Sequence, residues 1–235
     1  PEGIVSGLYL NDLIIYKDYF QKNFSSKHKI ILGVNSEENS KIYNTLILID
    51  NDLNILSIYK KNNLVPFGEF LPYESIFNKF GLKKITQGYR SFSYSNNREI
   101  INDGQYNFLP LICYEIIYSG NLKLSSREFD YIVNISEDGW FGKSIGPYQH
   151  FSHSIFRAIE EGKNIFRSSN NGVSAHITPV GLIKSRIEST ESGVVEVNNF
   201  KTIDGTLFSK HSNKIFFYLL IIYITFIVFL KRKDL

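Results

Sequence analysis

The sequence predicts an α/β fold built in layers, followed by one membrane-crossing helix at the C-terminus. Three observations carry that expectation. Short aliphatic and β-branched runs recur along the chain with a helical pattern between two of them, and such alternation belongs to α/β or layered α+β folds. With 235 residues, 43% of them hydrophobic and 15% aromatic, the chain is long enough to bury one large core. The stretch from Ile215 to Leu230 (IFFYLLIIYITFIVFL) carries no charge and is closed by Lys231-Arg232-Lys233.

The elements follow in order. HKIILGV (His28 to Val34) and YNTLILID (Tyr43 to Asp50) read as strands, bounded by Asn, Ser and Asp clusters. Leu53 to Tyr59 is expected to pair with the second of these across the Asn51-Asp52 turn. After Leu64, VPFGEFLPYE holds two prolines and a glycine and reads as an apolar loop. Residues 81–105, rich in Ser, Asn, Tyr and Gly, predict an exposed excursion. Phe108 to Ile112 reads as a buried strand ending at Cys113, and Asp130 to Ser136 as the next, with a turn over Glu137 to Gly142. Pro147 to Gly162 predicts a helix with Phe151, Ile155, Ala158 and Ile159 on one face, Pro147 in the first turn and Gly162 as the stop. Asn164 to Ser168, Val173 to Thr178 and Val194 to Val197 are the remaining expected strands.

At about 1.5 Å per residue, Ile215 to Leu230 falls slightly short of a ~30 Å hydrocarbon layer unless Ser212 and Asn213 extend it. Residues 1–205 are therefore expected to form the globular domain, 213–231 the membrane helix and 232–235 a short basic tail. By the positive-inside rule the tail is cytoplasmic and everything before residue 210 faces the other side. The chain begins Pro1-Glu2 and contains no methionine, which predicts a piece of something longer. One cysteine excludes an internal disulfide framework and any C-x-x-C pair. The net charge of +3 is modest, and lysines such as Lys60-Lys61 and Lys83-Lys84 are scattered among acids, which argues against nucleic acid as a partner.

Cys113 stands where its strand ends, in NFLPLICYEIIYSG. Unpaired cysteines are often plain core residues, yet a nucleophile at a strand-to-helix turn is a recurrent device, so the stretch itself leaves both readings open. A thiol acyl carrier needs a base and a cation for the oxyanion. None of His28, His150, His153, His176 and His211 sits in a papain-type motif. His150 and His153 share a helical face, but a third metal ligand is lacking. A desolvated glutamate with a nearby ammonium can replace histidine. Glu2 and Lys61 are candidates, although each taken singly suits a solvated surface better.

Several ordered stretches extend this reading: Pro1-Glu2; Tyr59-x-Lys61-x-x-Leu64-Val65-Pro66-Phe67-Gly68-Glu69; Ile112-Cys113-Tyr114-Glu115; Asn134-Ile135-Ser136-x-Asp138-x-Trp140-Phe141-Gly142-x-Ser144-Ile145-Gly146-Pro147-x-Gln149-His150; and Arg167-x-x-Asn170-Asn171-Gly172. Together they resemble the apolipoprotein N-acyltransferases, bacterial inner-membrane enzymes whose catalytic domain is of the nitrilase (carbon-nitrogen hydrolase) superfamily. The resemblance runs from residue 1 to about residue 186. It implies a nitrilase-like αββα sandwich, with Glu2 as general base, Lys61 as oxyanion stabiliser and Cys113 as nucleophile. Glu69, Tyr114 and Glu115 would support them. Pro66, Phe67, Trp140 and Phe141 would belong to loops receiving acyl chains, against a reading as simple packing. Implied partners are a phospholipid acyl donor, a diacylglyceryl apolipoprotein acceptor and the membrane, with the chain a monomer and no metal or organic cofactor. Family members carry transmembrane helices and a tryptophan before Pro-Glu, which this sequence does not include. A nitrilase-type amidase acting on a small amide, and an inactive membrane-anchored fragment, are the alternatives.

Overall fold

The computed structural model of the protein describes residues 1–4, 7–73, 91–120, 122 and 128–233. Two β-sheets lie face to face. The first is an antiparallel meander of β1 (Ile30–Glu38), β2 (Lys41–Ile49) and β3 (Ile55–Lys60). A two-residue turn joins β1 to β2, with Asn39 and Ser40 both at positive φ, the backbone that matches the twist of a tight hairpin. Between β2 and β3, Asp50 Oδ1 accepts from the Asp52 and Asn54 amides, both at 2.9 Å, fixing the expected turn.

The second sheet has the order β4 (Ile101–Asn102), β5 (Asn107–Ile112), β6 (Tyr131–Glu137), β7 (Asn164–Asn170), β8 (Ser174–Ile177) and β9 (Ile183–Ile187). Strands β5, β6 and β7 are parallel and the flanking pairs antiparallel. Helix α1 (Lys17–Asn23) follows a 3-10 helix at Leu10–Tyr16, and α2 (Gly146–Glu161) connects β6 to β7.

Strand alternation sorts the apolar side chains into three cores. Leu46, Leu48 and Tyr59 of the first sheet meet Phe108, Ile112, Val133 and Ile135 of the second. On the outer face of the first sheet, Ile47, Ile49, Leu32 and Val34 pack under Leu13 and Phe20. On the outer face of the second, Leu109, Leu111, Ile132 and Ile165 pack under Phe151 and Ala158 of α2. Both faces of the central strands are thus buried, which is why they read as unbroken apolar runs. The layers run helix, sheet, sheet, helix, the expected αββα order.

Helix α2 has Pro147 in its first turn and ends at Gly162 in the left-handed conformation (φ 65°). Its buried face is Pro147, His150, Phe151, Ser154, Arg157, Ala158 and Glu161. Ile159, expected on the core face, is 46% exposed and lies at the margin, where Gly181 leaves room for it. Val194 to Val197 is a second correction: it forms no strand, and Val194 is 84% exposed. The sheet ends instead at β9, whose Ile-Lys-Ser-Arg-Ile sequence alternates charges, a usual treatment of an open edge. Of the predicted excursion at 81–105, residues 81–90 lie outside the described residues. The rest is not simply exposed, because Ile101 and Arg98 are buried.

After β9 the chain runs back over α2 and β7. Lys163 Nζ donates to the Ile203 carbonyl at 3.1 Å and Asn164 Nδ2 to that of Lys201 at 2.8 Å. Thr206 caps α3 (Leu207–His211), and Ser212 Oγ donates to the Gly120 carbonyl. Helix α4 (Lys214–Lys233) has 20 residues, about 30 Å at 1.5 Å each. Its residues 214–231 have a mean hydropathy of 2.1, with none buried, so it is long and apolar enough to cross a membrane.

Candidate active site

The expected residues meet at one end of the sandwich. Glu2 arrives because residues 1–4 lie along β1: the Gly33 amide donates to the Pro1 carbonyl (3.1 Å) and the Ile4 amide to the Gly33 carbonyl (3.2 Å). Only glycine permits this approach, since a Cβ at position 33 would stand 2.6 Å from the Pro1 carbonyl oxygen and 2.8 Å from Glu2 Cα. Lys61 follows β3 directly, its amide bonded to the Asn44 carbonyl at 2.9 Å. Its Nζ lies 2.9 Å from Glu69 Oε2 and 3.4 Å from Glu2 Oε1. Asn44 Nδ2 bridges the two carboxylates, at 2.5 Å from Glu2 Oε1 and 2.9 Å from Glu69 Oε1. The Glu137 amide donates to Glu2 Oε2 at 2.9 Å.

Glu69 is held in turn by its own loop, where Oε2 accepts from the Val65 amide at 2.8 Å. Lys61 is 1% exposed. Burial alone works against its charge, but Glu2 and Glu69 more than offset this and hold it above the usual lysine range.

Cys113 ends β5 and opens a 3-10 turn at Cys113–Ile117, with φ at 49°. A non-glycine residue in this region carries strain on the order of 1 kcal/mol or more, and such strain gathers at functional turns. The thiol is buried and its pKa is pushed up to about 12, chiefly by burial and then by the charge of Glu2, with Lys61 and a Ser136 hydrogen bond opposing. At neutral pH the group is a thiol, so attack requires a base at the moment of reaction.

Glu115, fully buried, joins the lysine loop to the cysteine turn. Its Oε1 accepts from Tyr59 Oη (2.7 Å), the Asn62 amide (2.9 Å), the Asn63 amide (3.1 Å) and Arg98 Nη2 (3.2 Å). Its Oε2 accepts from the Ile112 amide at 2.8 Å. Tyr114 is half-buried and packs edge-on against Tyr118 at 5.4 Å. Sequence reasoning missed Asn44 and Arg98. The signal for Asn44 was present, a polar pair (Asn44-Thr45) inside an otherwise aliphatic strand; Arg98 stands in a polar stretch that offers none.

Behind the cysteine lies a second polar cluster. Asp138, fully buried, accepts from Ser136 Oγ (2.7 Å) and Arg167 Nη2 (2.7 Å), and its Oδ1 lies 2.8 Å from His150 Nδ1. Burial disfavours its charge, yet the His150 hydrogen bond and the Arg167 guanidinium hold its carboxyl well below the usual range. Gly172 makes room, because a Cβ there would stand 2.0 Å from Asp138 Oδ2. His150 is therefore engaged with this cluster. Among the described residues no group of three or more His, Cys, Asp or Glu could hold a metal ion.

The loop aromatics are open to solvent. Trp140 is 64% exposed, Phe67 43% and Phe141 41%, and Pro66 is exposed. Phe141 also touches the His150 ring, with centroids 5.7 Å apart. Packing into the core does not account for Trp140.

A buried thiol beside a carboxylate and an ammonium, at the mouth of an αββα sandwich, is equipped for acyl transfer through a covalent thioester. The sequence profile of the carbon-nitrogen hydrolases matches residues 24–199, and the chain belongs to that family. Within it, the chain is 39% identical over 174 residues to the apolipoprotein N-acyltransferase of Rhodopseudomonas palustris, covering 73% of this chain and 32% of the relative. It is 37% identical over 216 residues to that of Wigglesworthia glossinidia brevipalpis, covering 87% and 42%. The chain thus spans about a third to two fifths of the length of these curated relatives. Among solved structures, an amidase from Nesterenkonia sp. AN1 superposes with a TM-score of 0.54 at 13% identity, over 78% of this chain and 66% of that one. A CN-hydrolase superfamily protein from Xanthomonas campestris gives 0.52 at 16%, over 82% and 73%. These likenesses establish the fold.

Proposed function

We propose that the protein is an N-acyltransferase that moves a fatty acyl chain from a phospholipid to the N-terminal amine of an S-diacylglyceryl-cysteine apolipoprotein. The observation that carries this reading is the convergence of Glu2, Lys61 and Cys113 in a chain similar to enzymes of that name.

Glu2 takes the thiol proton as Cys113 Sγ attacks the ester carbonyl. Lys61 Nζ, with a backbone N–H near Tyr114, faces the oxyanion, and Glu69 and Glu115 hold that geometry. The intermediate collapses, the C–O bond breaks, and the lysophospholipid leaves with the proton from Glu2. The acceptor amine then attacks the thioester, Glu2 takes its proton, the C–S bond breaks and the thiol is restored, a ping-pong sequence. The steps need neither a metal nor an organic cofactor. Pro66, Phe67, Trp140 and Phe141 receive the acyl chain and keep water from the thioester.

In this reading α4 spans the bacterial inner membrane, residues 1–205 form the catalytic domain on the periplasmic side, the tail 232–235 is cytoplasmic, and the protein acts as a monomer. The length and hydropathy of α4 support the first point.

The test is acylation by the full-length protein in membranes. Cys113→Ala and Cys113→Ser abolish it, and mass spectrometry finds an acyl adduct on Cys113 of the parent. Transfer that persists without the thiol refutes the mechanism. Ammonia release from small amides, without transfer from lipid, moves the assignment to an amidase.

A further inference from the structure

We infer that His150 is a positioning residue for the nucleophile, holding the backbone of Cys113 in its left-handed conformation. Its ring spans the ends of three elements. Nδ1 lies 2.8 Å from Asp138 Oδ1 beyond β6, with Arg167 Nη2 of β7 at 3.2 Å. Nε2 lies 3.2 Å from the backbone carbonyl oxygen of Cys113 beyond β5. The Cys113 carbonyl oxygen is an acceptor, so Nε2 is the donor in that bond. The Nε2 bond is the one that bears on the nucleophile, because it fixes the peptide that follows Cys113 at a residue whose φ is 49°.

The rest of the cluster keeps the ring in place. Arg167 also donates to Asn134 Oδ1 and, through Nε, to the Val173 carbonyl at 3.2 Å. Ser136 Oγ donates to Asp138 Oδ1. The backbone of Cys113 is thus held by this network, while the charges of Glu2 and Lys61 act on its thiol. His150 touches no reacting atom in this scheme.

The inference rests on Cys113 being the acyl carrier, and the test separates the two claims. The chain has one cysteine, so acylation of the protein by p-nitrophenyl butyrate reads that thiol through the burst of p-nitrophenolate. In that step Sγ bonds to the acyl carbon, p-nitrophenolate leaves, and Glu2 receives the thiol proton. His150→Gln keeps an amide donor where Nε2 stands; His150→Asn keeps a donor toward Asp138 and loses the one to Cys113. Both are compared with the parent in the full-length protein, with melting temperatures measured alongside.

The expected burst rate constant falls on the order of 100-fold in His150→Asn and stays within about fivefold of the parent in His150→Gln, at similar melting temperatures. Equal rates in the two variants, or a parent-like rate in His150→Asn, overturn the positioning role and leave the acyl-transfer reading intact. A parent that shows no burst overturns both.

Discussion

Cys113 lies between two buried polar clusters built from similar groups and used differently. In front, Glu2, Glu69, Asn44 and Lys61 share a loose arrangement: one ammonium faces two carboxylates, and its contact to Glu2 is the long one, 3.4 Å. Behind, Asp138, Ser136, His150 and Arg167 form contacts of 2.7 to 2.8 Å around one fully buried carboxylate. The front cluster carries an excess of negative charge next to a neutral thiol, which suits a site that must pick up a proton and then face an oxyanion. The rear cluster is closely matched and rigid. Low dielectric strengthens both.

The sharpest way to break this comparison is to neutralise the front. Glu2→Gln is expected to slow acylation by about 10²–10⁴-fold, the span of a lost general base. It also removes a charge that raises the thiol pKa, so the pH profile of iodoacetamide labelling at Cys113 shifts to lower pH even as turnover falls. Lys61→Met is expected to cost about 10²–10³-fold, as for a lost oxyanion donor, and to shift labelling the opposite way, to higher pH, because Lys61 favours the thiolate. Labelling profiles that move in the same direction for both variants contradict the electrostatic assignment.

Breaking the rear cluster acts on stability. Asp138→Asn removes the acidic partner of Arg167 and His150, and loss of one member of a buried pair costs about 3–5 kcal/mol, read by denaturant unfolding. The depressed carboxyl gives a sign to the pH dependence. Its stabilisation is present above the unfolded carboxyl pKa of about 4 and is lost as pH falls through the folded value. The acid limb of the parent's stability profile is therefore expected to flatten in the variant. The smallest effect is Trp140→Ser, which is expected to leave stability within about 0.5 kcal/mol while weakening acylation from phospholipid vesicles. Unchanged vesicle activity would remove Trp140 from the acyl-receiving surface.

The front cluster was more legible in sequence than the rear. Glu2, Lys61 and Cys113 are each ambiguous alone, and it is the ordered family pattern from Pro1-Glu2 to Asn170-Asn171-Gly172 that singles them out and implies the layers that bring them together. Asp138, His150 and Arg167 stood out as motif members without a role, because their relation is made only when β6, α2 and β7 pack. Arg98 was hidden for the same reason. It lies 17 positions before Glu115, in a polar stretch with no periodicity, and its partners Glu115, Asn63 and the Leu122 carbonyl are all distant in sequence. Val194 to Val197 failed in the other direction, since apolar alternation describes a face, and pairing needs a neighbour as well.

Helix α4 presents Phe216, Phe217, Leu219, Ile221, Ile222 and Phe229 to its surroundings, each more than half exposed, while the sandwich beside it buries its own apolar side chains in three cores. One polypeptide thus asks for two solvents at once. In plain buffer the greasy rod will drive clumping whatever the sandwich prefers, and in detergent it will wear a belt of amphiphile. The mass read on a sizing column is then a property of the belt, and counting protomers requires light scattering with the detergent subtracted.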